Sequence, residues 1–184
     1  MSVKISESEL QQQVLFISQS INENIFNYDG KTLLRFIAEK LKEKKQTLGL
    51  AESCTGGYIS HLITSLPGSS EYFKGGIIAY SNEIKNRILQ IDERIINQYG
   101  AVSKEVVEQM AANLLHIYEV DYGIAVSGIA GPGGGSIEKP VGTVWIAIAN
   151  KNKITTKCFS LNKGRKRIIK QAAITALYML YLSF

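Results

Sequence analysis

Cysteine is scarce in this chain of 184 residues: Cys54 and Cys158 are the only two, far apart and matching no metal-ligand spacing. That excludes a disulfide-stapled secreted scaffold and fits a reduced, cytoplasmic protein. No apolar run is long enough to span a bilayer, and the stretch from Met1 to Gln13 is polar with charges of both signs, unlike a secretion signal. Repeats, linkers and low-complexity tracts are missing, so nothing divides the body of the chain. Neither the P-loop nor the dinucleotide fingerprint occurs. The two histidines, His61 and His116, fall inside predicted helices away from any turn. Each reads as a surface or packing residue, and no aspartate is evident to complete a serine triad.

What is present is a composition 45% hydrophobic and 20% charged, enough for one sizeable core. The net charge of +5 permits nucleic-acid or phosphorylated partners without demonstrating either. Part of it clusters in Lys163, Arg165, Lys166, Arg167 and Lys170.

Hydrophobic periodicity predicts a helical arm before Tyr28-Asp29-Gly30, then an amphipathic helix over Lys31 to Lys44. Gln46 to Ala51, Gly75 to Tyr80 and Tyr122 to Val126 have the length of buried strands. Helices are expected from Thr55 to about Ser65, from the Ser81-Asn82 cap to Leu89, over Glu93 to Gln98, from Ser103 to Ile117, and from about Gly164 to Leu182. Val141 to Ala149 and Ile154 to Phe159 form a predicted hairpin about Asn150-Lys151-Asn152. Strands alternating with helices imply an α/β fold: a three-layer α/β/α sandwich with a mostly parallel, mixed sheet.

Three strand ends run into polar or glycine-rich turns: Glu52 to Gly57, Tyr80 to Lys85, and Ser127 to Ser136. Ligands collect at the carboxyl ends of strands in open α/β sheets, so the three turns can line one crevice. In the first, Ser53 offers a hydroxyl beside helix amides that lack internal partners and attract a negative oxygen. Ser53 or Thr55 acting only as a helix cap is the competing reading. A serine needs a base, and Lys85, one helical turn past the Ser81-Asn82 cap, can serve if burial strips its charge. From the residues alone, a solvated lysine is the commoner case. Consecutive amides in the third turn could form an anion-binding concavity, or the turn is a flexible excursion before the hairpin.

The set Ala51-Glu-Ser-Cys-Thr-Gly-Gly57, Pro67-Gly-Ser-Ser70, Tyr80-Ser-Asn-Glu83 with Lys85, Gly100-Ala-Val-Ser103, Ser127-Gly-Ile-Ala-Gly-Pro132, Gly134-Gly-Ser136 and Glu138-Lys-Pro-Val-Gly142 closely resembles the CinA C-terminal domain family. These are bacterial nicotinamide-nucleotide amidohydrolases, also called NMN deamidases or PncC proteins. The resemblance spans roughly Lys31 to Leu182. It implies deamidation of nicotinamide mononucleotide to nicotinic acid mononucleotide and ammonia, within pyridine nucleotide recycling, with no metal or other cofactor. Ser53 and Lys85 match the catalytic pair. Cys54, Thr55, Gly56, Tyr80, Asn82 and Ser127 are candidates for oxyanion or orienting roles. Gly128, Gly131, Gly133, Gly134, Gly135, Ser136 and Arg165 are candidates for binding the nucleotide. Self-association into a homo-oligomer is expected.

Two departures stand out. Many relatives carry a larger N-terminal domain where residues 1 to 30 here form only the predicted arm. The second of a pair of arginines in the last helix is replaced by Ile169, with Arg167 or Lys170 as compensating candidates. The alternatives are a catalytically silent nucleotide-binding subunit and a nucleic-acid-associated, competence-related protein. Intact Ser53 and Lys85 argue against the first, and the absence of aromatics interleaved with the basic cluster argues against the second.

Overall fold

A computed structural model describes residues 32–162 and 164–184. The predicted N-terminal arm and Lys163 of the basic cluster lie outside the described residues. Thr32 caps helix α1 (Leu33–Glu43) by accepting from the Arg35 amide, and Leu33, Ile37 and Leu41 form its buried stripe. Strand β1 (Leu48–Glu52) is buried throughout. Helix α2 (Tyr58–Thr64), a single 3₁₀ turn (Ser69–Glu71) and strand β2 (Phe73–Ile78) follow. Next come α3 (Asn82–Arg87), α4 (Glu93–Tyr99) and α5 (Lys104–Ile117), capped by Ser81, Asp92 and Ser103 respectively. Strands β3 (Tyr122–Gly128), β4 (Thr143–Asn150) and β5 (Lys153–Ser160) lead to the closing helix α6 (Arg165–Tyr181).

The five strands form one sheet in the order β2-β1-β3-β4-β5. β1 pairs parallel with both β2 and β3, while β3–β4 and β4–β5 are antiparallel, so only β4 opposes the common direction. The sheet is mixed, as expected, with its parallel part confined to the three strands that end at the predicted crevice.

Side chains alternate between two cores. Leu48, Leu50, Ile124, Val126, Ile146 and Ile148 pack with α1, α2 and α6 on one face. Ala51, Ala125, Ala147 and Ala149 pack on the other face with residues of α4 and α5. The size difference has a cause: a Cβ on Gly123 would collide with the carbonyl oxygen of Ala111, so α5 lies directly on the backbone of the sheet.

Several boundaries shift by a few residues, and β2, an edge strand of alternating half-buried and exposed residues, is not the buried strand expected; two of the shifts have local causes. α2 begins at Tyr58 rather than Thr55, because Gly56 and Gly57 take left-handed backbone (φ 60° and 95°) and close a turn first. β2 ends at Ile78 rather than Tyr80. The Glu52 carbonyl still accepts from the Ala79 amide at 2.8 Å, but β1 then turns away and offers Tyr80 no partner. Among the described residues, no helix is long and apolar enough to cross a membrane.

Candidate active site

Strand alternation sends consecutive residues at the end of β1 to opposite faces of the sheet. Glu52 points toward α2 and Ser53 toward α3. The Glu52 carboxylate, 1% exposed, accepts from the amides of Gly57 (3.0 Å), Ile59 (3.1 Å) and Ser60 (2.8 Å) and from the Ser60 hydroxyl (2.7 Å). This corrects the expectation that the amides opening this helix are free for a substrate oxygen: the chain's own carboxylate occupies them. The capping alternative for Ser53 and Thr55 also fails. The residue at the N-cap is Gly57, and no side chain caps the helix from that position.

Ser53 instead meets Lys85. Ser81 accepts from the Ile84 amide and starts α3, which brings Lys85 back over the end of β2. Its ammonium nitrogen lies 3.2 Å from Ser53 Oγ and donates to the Ala79 carbonyl at 2.6 Å. Lys85 is 1% exposed, and burial pushes its pKa below the ordinary lysine range of about 10.5, with the nearby Cys54 sulfur opposing the shift. The same burial pushes the Cys54 thiol up to about 12, against the pull of its own backbone amide and of the Lys85 and Arg165 charges. A lysine held in this way gives up its proton more readily than one in water, while the adjacent thiol stays protonated.

In the turn, the Gly56 amide donates to the Ser53 carbonyl (3.1 Å) and is therefore engaged. The amides of Cys54 and Thr55 have no backbone acceptor among the described residues. The Thr55 hydroxyl is buried without a partner among the described residues. These three donors lie in the residues immediately after the serine.

The second and third turns lie beside the first. Arg165, the first residue of α6, donates to the Tyr80 hydroxyl (2.8 Å) and to the Gly131 carbonyl (2.9 Å), tying the two turns together. Tyr80 is 59% exposed, and Asn82, the first residue of α3, is exposed beside it. Ser127 is buried and donates to the Ala101 carbonyl at 2.7 Å, which anchors the segment before α5. Gly128 packs against β4, where a Cβ would sit 2.9 Å from the Thr143 oxygen. The glycine loop is a hydrogen-bonded excursion. Ile129 and Gly142 close its base, Ser136 and Lys139 bond each other near its tip, and Lys139 reaches the Tyr99 carbonyl. The Gly131–Pro132 peptide is cis. Gly133, Gly134 and Gly135 are exposed at the tip, with no backbone acceptor for their amides among the described residues.

His61 and His116 are both exposed and lie on α2 and α5, outside this cluster. Among the described residues, no group of three or more His, Cys, Asp or Glu side chains could hold a metal. Sequence reasoning missed Glu52 as a structural anchor. The available signal was a carboxylate ending a wholly apolar strand just before a helix start. It also missed the Ala79 carbonyl, a backbone acceptor that no residue type announces.

The family model of the CinA C-terminal domain matches residues 30–184. The chain belongs to the CinA C-terminal domain family. A CinA-like protein of Cytophaga hutchinsonii is 42% identical over 171 residues, which are 93% of this chain and 41% of that protein. Another, from Prochlorococcus marinus, is 46% identical over 153 residues, 83% of this chain and 36% of its own length. The chain thus spans about two fifths of the curated CinA-like relatives it matches. Solved CinA structures share the fold. The competence/damage inducible protein CihA from Agrobacterium tumefaciens superposes with a TM-score of 0.80 at 36% identity, covering 83% of this chain and 94% of that one. A CinA superfamily protein from Escherichia coli gives 0.81 at 26% identity, covering 88% and 95%.

Proposed function

We propose that this CinA domain hydrolyses the carboxamide of nicotinamide mononucleotide, releasing ammonia and nicotinic acid mononucleotide, with Ser53 as nucleophile and Lys85 as base. The observation that carries the reading is the 3.2 Å contact between Lys85 Nζ and Ser53 Oγ, with the lysine buried deeply enough to lower its pKa.

Neutral Lys85 takes the Ser53 proton as the oxygen attacks the carboxamide carbon. The Cys54 and Thr55 amides receive the developing oxyanion, each such donor contributing about 3 kcal/mol to the transition state. The tetrahedral adduct collapses as Lys85 returns the proton to the departing nitrogen, leaving ammonia and an acyl-serine. Water then attacks the acyl carbon while Lys85 accepts its proton. Collapse of the second adduct frees the acid, and Ser53 recovers its proton from Lys85. Arg165 and the Gly133 to Gly135 amides are the groups of this crevice suited to the nucleotide's phosphate.

Incubation of the purified chain with nicotinamide mononucleotide, without added metal, should yield ammonia and the acid in equal amounts. Ser53→Ala and Lys85→Ala should each lower turnover by about three orders of magnitude or more with the fold intact. Near-normal turnover by Lys85→Ala would remove the lysine from the mechanism, and absence of ammonia from the unaltered chain would remove the substrate.

A further inference from the structure

We infer that Glu52 is a positioning residue for the Ser53–Lys85 pair, a role that rests on the serine–lysine reading of the site. A buried carboxylate is costly unless its lone pairs are satisfied, and an apolar side chain could seal the end of a buried strand more cheaply. Among the described residues no lysine or arginine forms an ion pair with Glu52; its four donors are the three amides and one hydroxyl that open α2.

Glu52 touches both halves of the pair, one through its side chain and one through its backbone. Its side chain fixes the far end of the turn that carries Ser53, through Gly57, Ile59 and Ser60. Its own carbonyl accepts from the Ala79 amide at 2.8 Å, and the Ala79 carbonyl in turn receives Lys85 Nζ at 2.6 Å. The backbone of residue 52 thus ties the strand end to the base, while the Glu52 carboxylate acts on the other half, fixing the turn that carries the nucleophile. Filling the α2 amides internally has a second consequence. An anionic substrate group cannot settle on them, which leaves the Cys54 and Thr55 amides, neither with a backbone acceptor among the described residues, as the donors next to the reacting oxygen.

The test compares the unaltered chain with Glu52→Gln and Glu52→Ala by three measurements: kcat and KM on nicotinamide mononucleotide, the rate at which a fluorophosphonate labels Ser53, and thermal unfolding with and without formate. Glu52→Gln keeps the size but turns an NH₂ group toward amide donors. It should lose about 10-fold or more in kcat and in labelling rate, with KM within about two-fold. Glu52→Ala should lose more and regain part of both when formate supplies the missing carboxylate. Formate should raise the Tm of that variant and leave the unaltered chain unmoved.

Labelling of both variants at the unaltered rate would overturn the inference, as would a loss confined to KM or a Glu52→Ala defect indifferent to formate. If Glu52→Ala does not fold, Glu52→Gln decides by the same kinetic criteria. If the unaltered chain does not turn over this nucleotide, the substrate assignment fails, while the labelling and formate measurements still decide the role of Glu52.

Discussion

Replacing Lys85 with methionine keeps most of the side chain's length and apolar contact while removing its proton chemistry. The amine of Lys85 is 1% exposed and donates at 2.6 Å to Ala79 and at 3.2 Å to Ser53. Where the amine is neutral in the folded state, loss of these bonds should cost about 1–3 kcal/mol, chiefly because the buried Ala79 carbonyl is left without its donor. Acid reverses the balance. Burial lowers the folded-state pKa of Lys85, so between that value and the ordinary 10.5 the unfolded chain binds more protons than the folded one. The stability of the unaltered protein therefore rises with pH across this window, by up to about 1.4 kcal/mol per pH unit, and falls as pH drops toward the folded-state pKa. The methionine variant lacks this slope. Urea denaturation of both proteins over about pH 6 to 10 should give a difference curve that favours the variant at the acid end and the lysine at the alkaline end. The lower bend of that curve should coincide with the pH at which kcat/KM climbs, since both report loss of the same proton. A difference independent of pH would mean that burial does not perturb Lys85, and the case for a base active near neutrality would be lost.

Other expectations follow from the same geometry. Iodoacetamide at about pH 8 should alkylate the exposed Cys158 in the native protein and spare Cys54, whose thiol is held at about 12; both should react after denaturation, as read by mass spectrometry. Equal native reactivity would show that the pocket is wet. Gly142→Ala should destabilise the fold by about 3 kcal/mol or more, because its φ is 99° and a Cβ would run into the Leu161 carbonyl. Gly133→Ala, at the exposed tip of the same loop with nothing within 4 Å of a Cβ, should stay within about 0.5 kcal/mol in the same denaturation assay. Arg165→Met should raise KM for the nucleotide about 10-fold or more with a small change in kcat, since this side chain spans Tyr80 and Gly131 and does not bond to the Ser53–Lys85 pair. A fall in kcat at unchanged KM would place it in the chemical step instead.

Features whose physics is local were legible in the residues alone. Leu33, Ile37 and Leu41 recur at helical spacing and define α1; Ser81 and Ser103 cap their helices as their residue type dictates; the β4–β5 hairpin turns about Asn150, whose side chain accepts from the Asn152 and Lys153 amides. The chemistry-bearing turns were legible for the same reason, because each follows directly on an apolar strand. Which groups in those turns are engaged depends on the packing of distant segments. Ser53 and Lys85 are 32 residues apart in sequence, and their contact depends on parallel pairing of β1 with β2 and on the return of α3 over the sheet. That Glu52, and no substrate, fills the amides of α2 follows from which way the end of β1 alternates. A residue's identity states what it can donate or accept, but whether a buried donor is free depends on every other group folded against it, and that sum exists only in three dimensions.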